Sequence, residues 1–150
     1  MTLSQQEYDA IIADEAKRIE GDIFWGADQN STAMRFRIDI DSDEGYPLFL
    51  QGWYNPYSGK LSYAMIYRGV GRIYGLDLGA AHINPDGGAI GEIHKNHWVP
   101  GHRDKWAYAP GDITHPWSRP VEVWAQFCAE ANLEHRGVMH SPRVQGGLML

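Results

Sequence analysis

The sequence predicts an α+β fold: an antiparallel sheet of about four to five strands in meander order, flanked by an N-terminal and a C-terminal helix. Three features lead there: a capping signature at the N-terminus, a long middle section in which apolar residues recur every second position, and a C-terminal stretch with helical period.

Ser4 and Glu7 have the spacing of a capping box, in which the serine oxygen and the glutamate carboxylate satisfy free amides at a helix start. Tyr8, Ile11, Ile12 and Ile19 then recur on one face, so the first helix is expected to run to about Arg18. From Asp22 the period moves towards two. In AMRFRIDIDS, Met34, Phe36, Ile38 and Ile40 alternate with Arg35, Arg37, Asp39 and Asp41, which predicts a half-buried strand. DSDEGYP reads as a turn, and LFLQGWY and KLSYAMIYRG flank NPYSG, a composition suited to a hairpin loop. RIYGLDLG adds a fourth or fifth strand after the Gly69 to Gly71 break. Connections this short imply antiparallel pairing, because parallel neighbours need long crossovers. Residues 79–117 read as loop-rich. Ser118 is then placed to cap a second helix over about 119–132, with Pro120 in its first turn and Val121, Trp124, Phe127, Cys128 and Ala131 on one apolar face. Residues 1–150 are expected to form one α+β domain, with a loose tail over 135–150 or an edge strand at Leu148 to Leu150.

The 150 residues carry a formal charge of −6, which argues against coating nucleic acid by bulk electrostatics. Residues 1–45 hold 11 acidic residues against Lys17, Arg18, Arg35 and Arg37. The remainder is close to neutral, and its cations gather in one segment. Cys128 is the only cysteine, so an intramolecular disulfide and a cysteine-rich zinc site are ruled out, and its place on the apolar helix face predicts a buried thiol. The acidic N-terminus and the lack of an 18-residue apolar run lead us to expect a cytoplasmic protein without membrane contact.

Four of the seven histidines fall between His82 and Tyr108, beside Lys95, Arg103 and Lys105. Imidazoles titrate near neutrality, so such a cluster beside fixed cations suits proton transfer at a phosphate, or metal ligation. Asn84-Pro85-Asp86-Gly87-Gly88 predicts a reversal that can bring His82 near His94. If Ile90 to Trp98 is extended, His94 and Asn96 share one face while Lys95 and His97 share the other. If it is helical or bulged, His94 and His97 fall on one side.

Three chemistries fit these residue types. The leading one is cofactor-free cleavage of RNA, with His82, His94 and His97 as acid–base candidates and Lys95, Arg103 and Lys105 stabilising charge on phosphorus. Asn84, Trp98, Trp106 and Tyr108 are the candidate substrate contacts, the aromatic residues by stacking on an unpaired base. The second is a metal site of His82, His94, His97 and His102 in a hydrolase, although no established ligand spacing such as HExxH is present. The third makes the acidic face of residues 1–45 a docking surface for a basic partner, as in a phage-encoded inhibitor of a host defence complex. Against all three stands a plainly structural role, with half-exposed loop histidines and with Trp98 and Trp106 as core.

The order Leu76-Asp77-Leu78, His82-x-Asn84-Pro85-Asp86-Gly87, His94-Lys95-x-His97 and Arg103-Asp104-Lys105-Trp106-Ala107-Tyr108 resembles small bacterial and phage proteins related in pattern to TumE-like toxins of toxin–antitoxin loci. The resemblance covers about a fifth of the chain. It implies a small α+β toxin that cleaves RNA and is neutralised by a cognate antitoxin. The family pattern often has His-x-His in the second group, whereas here Asn96 holds the third place and His97 follows.

Overall fold

The computed structural model describes residues 2–143. Its elements run α1 (Gln5–Ala13), β1 (Arg18–Glu20), β2 (Gly26–Ala27), β3 (Met34–Ile40), β4 (Leu48–Asn55), β5 (Lys60–Tyr67), β6 (Gly71–Leu78), β7 (His82–Ile83), β8 (Ala89–Ile90), β9 (Ile93–Val99), β10 (Arg103–Tyr108), α2 (Pro120–Glu130) and β11 (Glu134–Arg136). Seven strands form one antiparallel sheet in the order β10-β9-β6-β5-β4-β3-β2, larger than the four to five strands expected. The surplus comes mainly from the segment read as loop-rich, which supplies β9 and β10. Its two-residue period is hidden because both faces of β9 are covered: His94, Lys95 and Asn96 are all buried.

The capping box at α1 forms as expected, with Glu7 N–H donating to Ser4 Oγ at 3.1 Å and Ser4 N–H donating to Glu7 Oε1 at 3.0 Å. The helix ends at Ala13, well before Arg18, because Asp14 turns extended. Lys17, fully buried, then folds its ammonium back onto the carbonyls of Ile11 (2.7 Å), Ile12 (3.1 Å) and Asp14. These acceptors lie at and just beyond the helix end, where carbonyls lack intrahelical donors. Burial pushes the Lys17 ammonium down to about 8, against the opposing charge of Asp14. Ile19 is buried as a strand residue of β1, not on a helical face.

At the other end Pro120 opens α2 as expected, but Ser118 does not cap it; Arg119 holds the cap position without a side-chain hydrogen bond. The tail is ordered further than anticipated. β11 pairs with β1 in parallel, and Met139 bridges Ile23. The possible edge strand at Leu148 to Leu150 lies outside the described residues.

One sheet face makes the core. Phe36, Leu50, Tyr54, Leu61, Tyr63, Met65, Tyr74 and Leu76 pack with Leu3, Tyr8 and Ile11 of the α1 region and with Val123, Trp124 and Phe127 of α2. The aromatic rings meet at 5.1 Å for Tyr63 and Trp124 and 5.5 Å for Tyr74 and Phe127. Gly52 is needed in this layer, since a Cβ there would lie 1.9 Å from the Phe36 ring that covers it. Cys128 is buried as expected, and burial pushes its thiol up to about 12, which suppresses the nucleophilic thiolate. Among the described residues no helix is long and apolar enough to cross a membrane.

Candidate functional site

The other sheet face carries the polar positions of the alternating strands. Strand register aligns Arg35, Trp53, Ser62, Asp77 and His94 in one row across β3, β4, β5, β6 and β9. The next row is Arg37, Gln51, Ala64, Gly75, Asn96 and Ala107. Adjacent strands lie about 4.8 Å apart, so neighbours within a row can touch.

Asp77 is the hub. It accepts from Ser62 Oγ at 2.7 Å, from Arg72 Nη2 at 3.0 Å and from His94 Nε2 at 3.2 Å. Burial alone would raise its pKa, but the hydrogen bonds from His94, Arg72 and Ser62 and the charge of Arg72 hold the carboxyl well below the usual carboxylate range. Arg72 reaches it by lying flat over Gly75, where a Cβ would come within 2.2 Å of Nη2. The same guanidinium donates to Asn96 Oδ1 at 3.2 Å and makes an ionic contact with Asp104 at 3.5 Å. That last contact lacks the angle of a hydrogen bond, which leaves Nε without one. Asn96 in turn donates to the Asp104 carbonyl at 3.0 Å.

His94 is buried, with Nδ1 3.2 Å from the Gly91 carbonyl and Nε2 against Asp77. Both ring nitrogens face acceptors, so neither is free to take a proton from a ligand. His82 differs. The Asn84 to Gly88 turn forms as expected, with Gly87 at φ +87° and its N–H donating to the Asn84 carbonyl at 2.8 Å. This reversal pairs β7 with β8 and leaves the His82 ring 5.2 Å from that of His94. His82 Nε2 lies 2.7 Å from the Lys105 carbonyl, which can only accept. The N–H of the neutral ring therefore sits on Nε2 and the lone pair on Nδ1, which has no hydrogen-bond partner among the described residues.

Asn84 holds this hairpin in place. Its amide donates to the Ala107 carbonyl at 3.0 Å and its oxygen accepts from the Ala107 N–H at 2.8 Å, so the side chain pairs with β10 as a strand would. Asn84 is 8% exposed and satisfied on both sides, which gives it a structural task in place of the substrate contact expected of it.

Other expected members lie elsewhere. β9 is extended, so Lys95 and His97 project away from His94. Lys95 is buried on the core side, donating to Asp112 at 2.7 Å and Glu130 at 2.9 Å. Tyr74 and Tyr108 also donate to Glu130 Oε1. Burial favours the neutral acid at Glu130, but the donors Tyr108, Tyr74 and Lys95 overcome it and lower its pKa; the two phenols are pushed up, first by burial and then by that carboxylate. Lys95 is thus committed to carboxylates, not aimed at a phosphate beside His94. The His97 ring lies 5.7 Å from that of Tyr108, and the His102 ring 6.1 Å from that of Trp106. His82, His94, His97 and His102 do not converge, and among the described residues no group of three or more His, Cys, Asp or Glu is placed to hold a metal. Trp98 is core, its indole donating to the Leu3 carbonyl at 3.0 Å. Trp106 and Tyr108 are half-buried, while Arg103 and Lys105 are exposed around the β9–β10 turn.

Residue-pattern reasoning missed Asp77, Arg72 and Ser62 as partners of His94. One signal was present: an acidic residue between Leu76 and Leu78 in an apolar strand needs a compensating partner. Nothing local pointed to Arg72.

A family model described as a family of unknown function (DUF6978) matches residues 3–133, and the chain belongs to that family. No curated protein and no solved structure matches.

Proposed function

We propose that this member of a family without an assigned activity is a metal-independent ribonuclease, with His82 as its acid–base residue and His94 and Asp77 as positioning residues. The observation that supports it is the chain of contacts from Asp77 to His94 Nε2 at 3.2 Å and from the His94 ring to the tilted His82 ring at 5.2 Å, with one ring nitrogen of His82 left open. A carboxylate that orients one histidine against another group is a recurrent device for holding an imidazole in reactive geometry. In the proposed step His82 Nδ1 takes the proton of an RNA 2′-hydroxyl, the 2′-oxygen bonds to phosphorus, and the bond to the 5′-oxygen breaks. The imidazolium then returns its proton to that oxygen, directly or through water, leaving a 2′,3′-cyclic phosphate. Exposed Arg103 and Lys105 lie on β10, whose Lys105 carbonyl holds His82 Nε2, and supply charge for the phosphorane.

The biological setting proposed is that of a toxin restrained by a cognate antitoxin, carried by the resemblance to TumE-like toxins. The acidic-face alternative has less room, because Arg68 pairs with Asp39 at 2.8 Å and Arg18 with Asp43 at 3.0 Å. The test is cleavage of labelled RNA by the purified protein in excess chelator, alongside His82→Ala and growth of bacteria expressing each. Wild type is expected to produce cyclic-phosphate ends and slow growth, with cleavage by His82→Ala reduced about 100-fold or more. RNA left intact by wild type, or cut equally by the variant, removes the ribonuclease reading. Binding of a basic protein, lost on charge reversal at Asp39, Asp41, Asp43 and Glu44, would favour the inhibitor instead.

A further inference from the structure

The open sheet face has a groove that the proposed cleavage step does not use. It occupies about 500 Å³ and runs over Arg35, Arg37, Gln51, Trp53, Ala64, Ile66 and Arg72. Its floor is low at the small Ala64, and Arg72, lying over Gly75, bounds it on the β6 side. At one side the half-buried Trp53 is held within the sheet, between Arg35 and Ser62 of the neighbouring strands. At the other the Arg37 guanidinium lies 3.8 Å from the centre of the Phe49 ring. That ring contact restrains a cation which, unlike Arg35, Arg68 and Arg72, has no carboxylate partner among the described residues.

We infer that this groove is the binding track for single-stranded RNA, with Trp53 stacking on an unpaired base and Arg37 and Arg35 contacting phosphates. The inference rests on the ribonuclease reading for its ligand and deepens it by naming the substrate class and the residues that select it. Trp53 and His94 stand in one cross-strand row, three strand spacings or about 14 Å apart. A base on Trp53 therefore leaves the His82 end of the row a few nucleotides further along the same chain. A duplex keeps its bases stacked on one another and cannot lay one flat on an indole set in a sheet, whereas an unpaired strand can. The low count of free cations suits a short contact, in keeping with the overall charge of −6.

The experiment measures binding of a fluorescent RNA, 2′-O-methylated to block cleavage, as a single strand and as a hairpin of equal length. The proteins are wild type, Trp53→Ala, Trp53→Phe and Arg37→Ala, each checked for folding by its melting transition. Wild type is expected to prefer the single strand, Trp53→Ala to lose about tenfold or more, and Trp53→Phe to keep most of the affinity. Two phosphate contacts predict a slope of about −1.4 for log K against log salt, falling to about −0.7 in Arg37→Ala. Equal binding of hairpin and single strand, or folded Trp53→Ala with wild-type affinity, overturns the inference. Cleavage of unmodified RNA by the same proteins separates the two claims. Trp53-dependent binding without cleavage keeps the track and removes the nuclease, while cleavage indifferent to Trp53 and strandedness does the reverse.

Discussion

At His82 the local surroundings assign the proton: a backbone carbonyl holds Nε2–H and leaves Nδ1 as the open lone pair. Its neighbour His94 has no such freedom, so two of the three histidines that the sequence offers as acid–base candidates stand in unequal surroundings. Asp77 makes the inequality testable through stability. Its folded pKa is depressed, so its contribution is fully present above the unfolded value of about 3.9 and is lost as pH falls through the folded value. Glu130 is lowered too and acts in the same direction. Wild-type stability should therefore drop as pH falls below about 4. In Asp77→Asn the drop should be shallower, with about 2 kcal/mol lost at neutral pH because Arg72 and His94 no longer face a carboxylate. Urea unfolding between pH 2 and 7 checks both, and an unchanged acid limb in the variant would show that Asp77 is not the titrating hub.

Among the elements, β9 divides its side chains between two environments. Alternation along one extended strand sends His94 and Asn96 to the open face and Lys95 to the core side, where it links β9 to the Asp112 loop and the end of α2. Sequence adjacency of His94 and Lys95 is thus no sign of shared chemistry. Lys95→Met is predicted to leave RNA cleavage within about twofold of wild type while lowering stability. The loss should be about 1–2 kcal/mol, less than for a fully buried pair, because both carboxylates are about 40% exposed and can turn to water. Cleavage assays and chemical denaturation measure the two effects separately, and a large fall in cleavage with stability retained would place Lys95 back in the site. Lys17 shows the same lesson at α1: a helix expected to reach Arg18 stops early because a lysine folds onto its end and the following residues pair with β11 and Asp41.

Over the whole molecule, one sheet presents two different faces, a core on the helix side and a polar, open face on the other. Its β10 edge is protected by the Asn84 amide, which occupies the Ala107 backbone groups. Unpaired edges invite pairing with other chains. Asn84→Ala should therefore raise self-association at high concentration, detectable by sedimentation, and weaken cleavage by loosening the hairpin that carries His82. A variant that stays as monodisperse as wild type would show that the edge is blunted by something else. Much of this architecture was legible beforehand. The capping box, the β3 alternation, the NPYSG hairpin, the Pro120 helix and the Asn84 turn depend on local period and turn chemistry, which neighbouring residues specify among themselves. What stayed hidden were β9, which is polar yet largely buried, β10, which is polar and only partly covered, and the partners of their side chains. Asp77 and Arg72 reach His94 and Asn96 only through strand register, Lys95 meets Glu130 only through the packing of α2, and Lys105 meets His82 only where the hairpin covers an edge. The sequence by itself determined the start of α1, the β3 to β6 meander, the Pro120 helix and the segment in which histidines and cations concentrate. Tertiary structure decided which of those side chains face one another, because that depends on contacts between residues far apart in the chain.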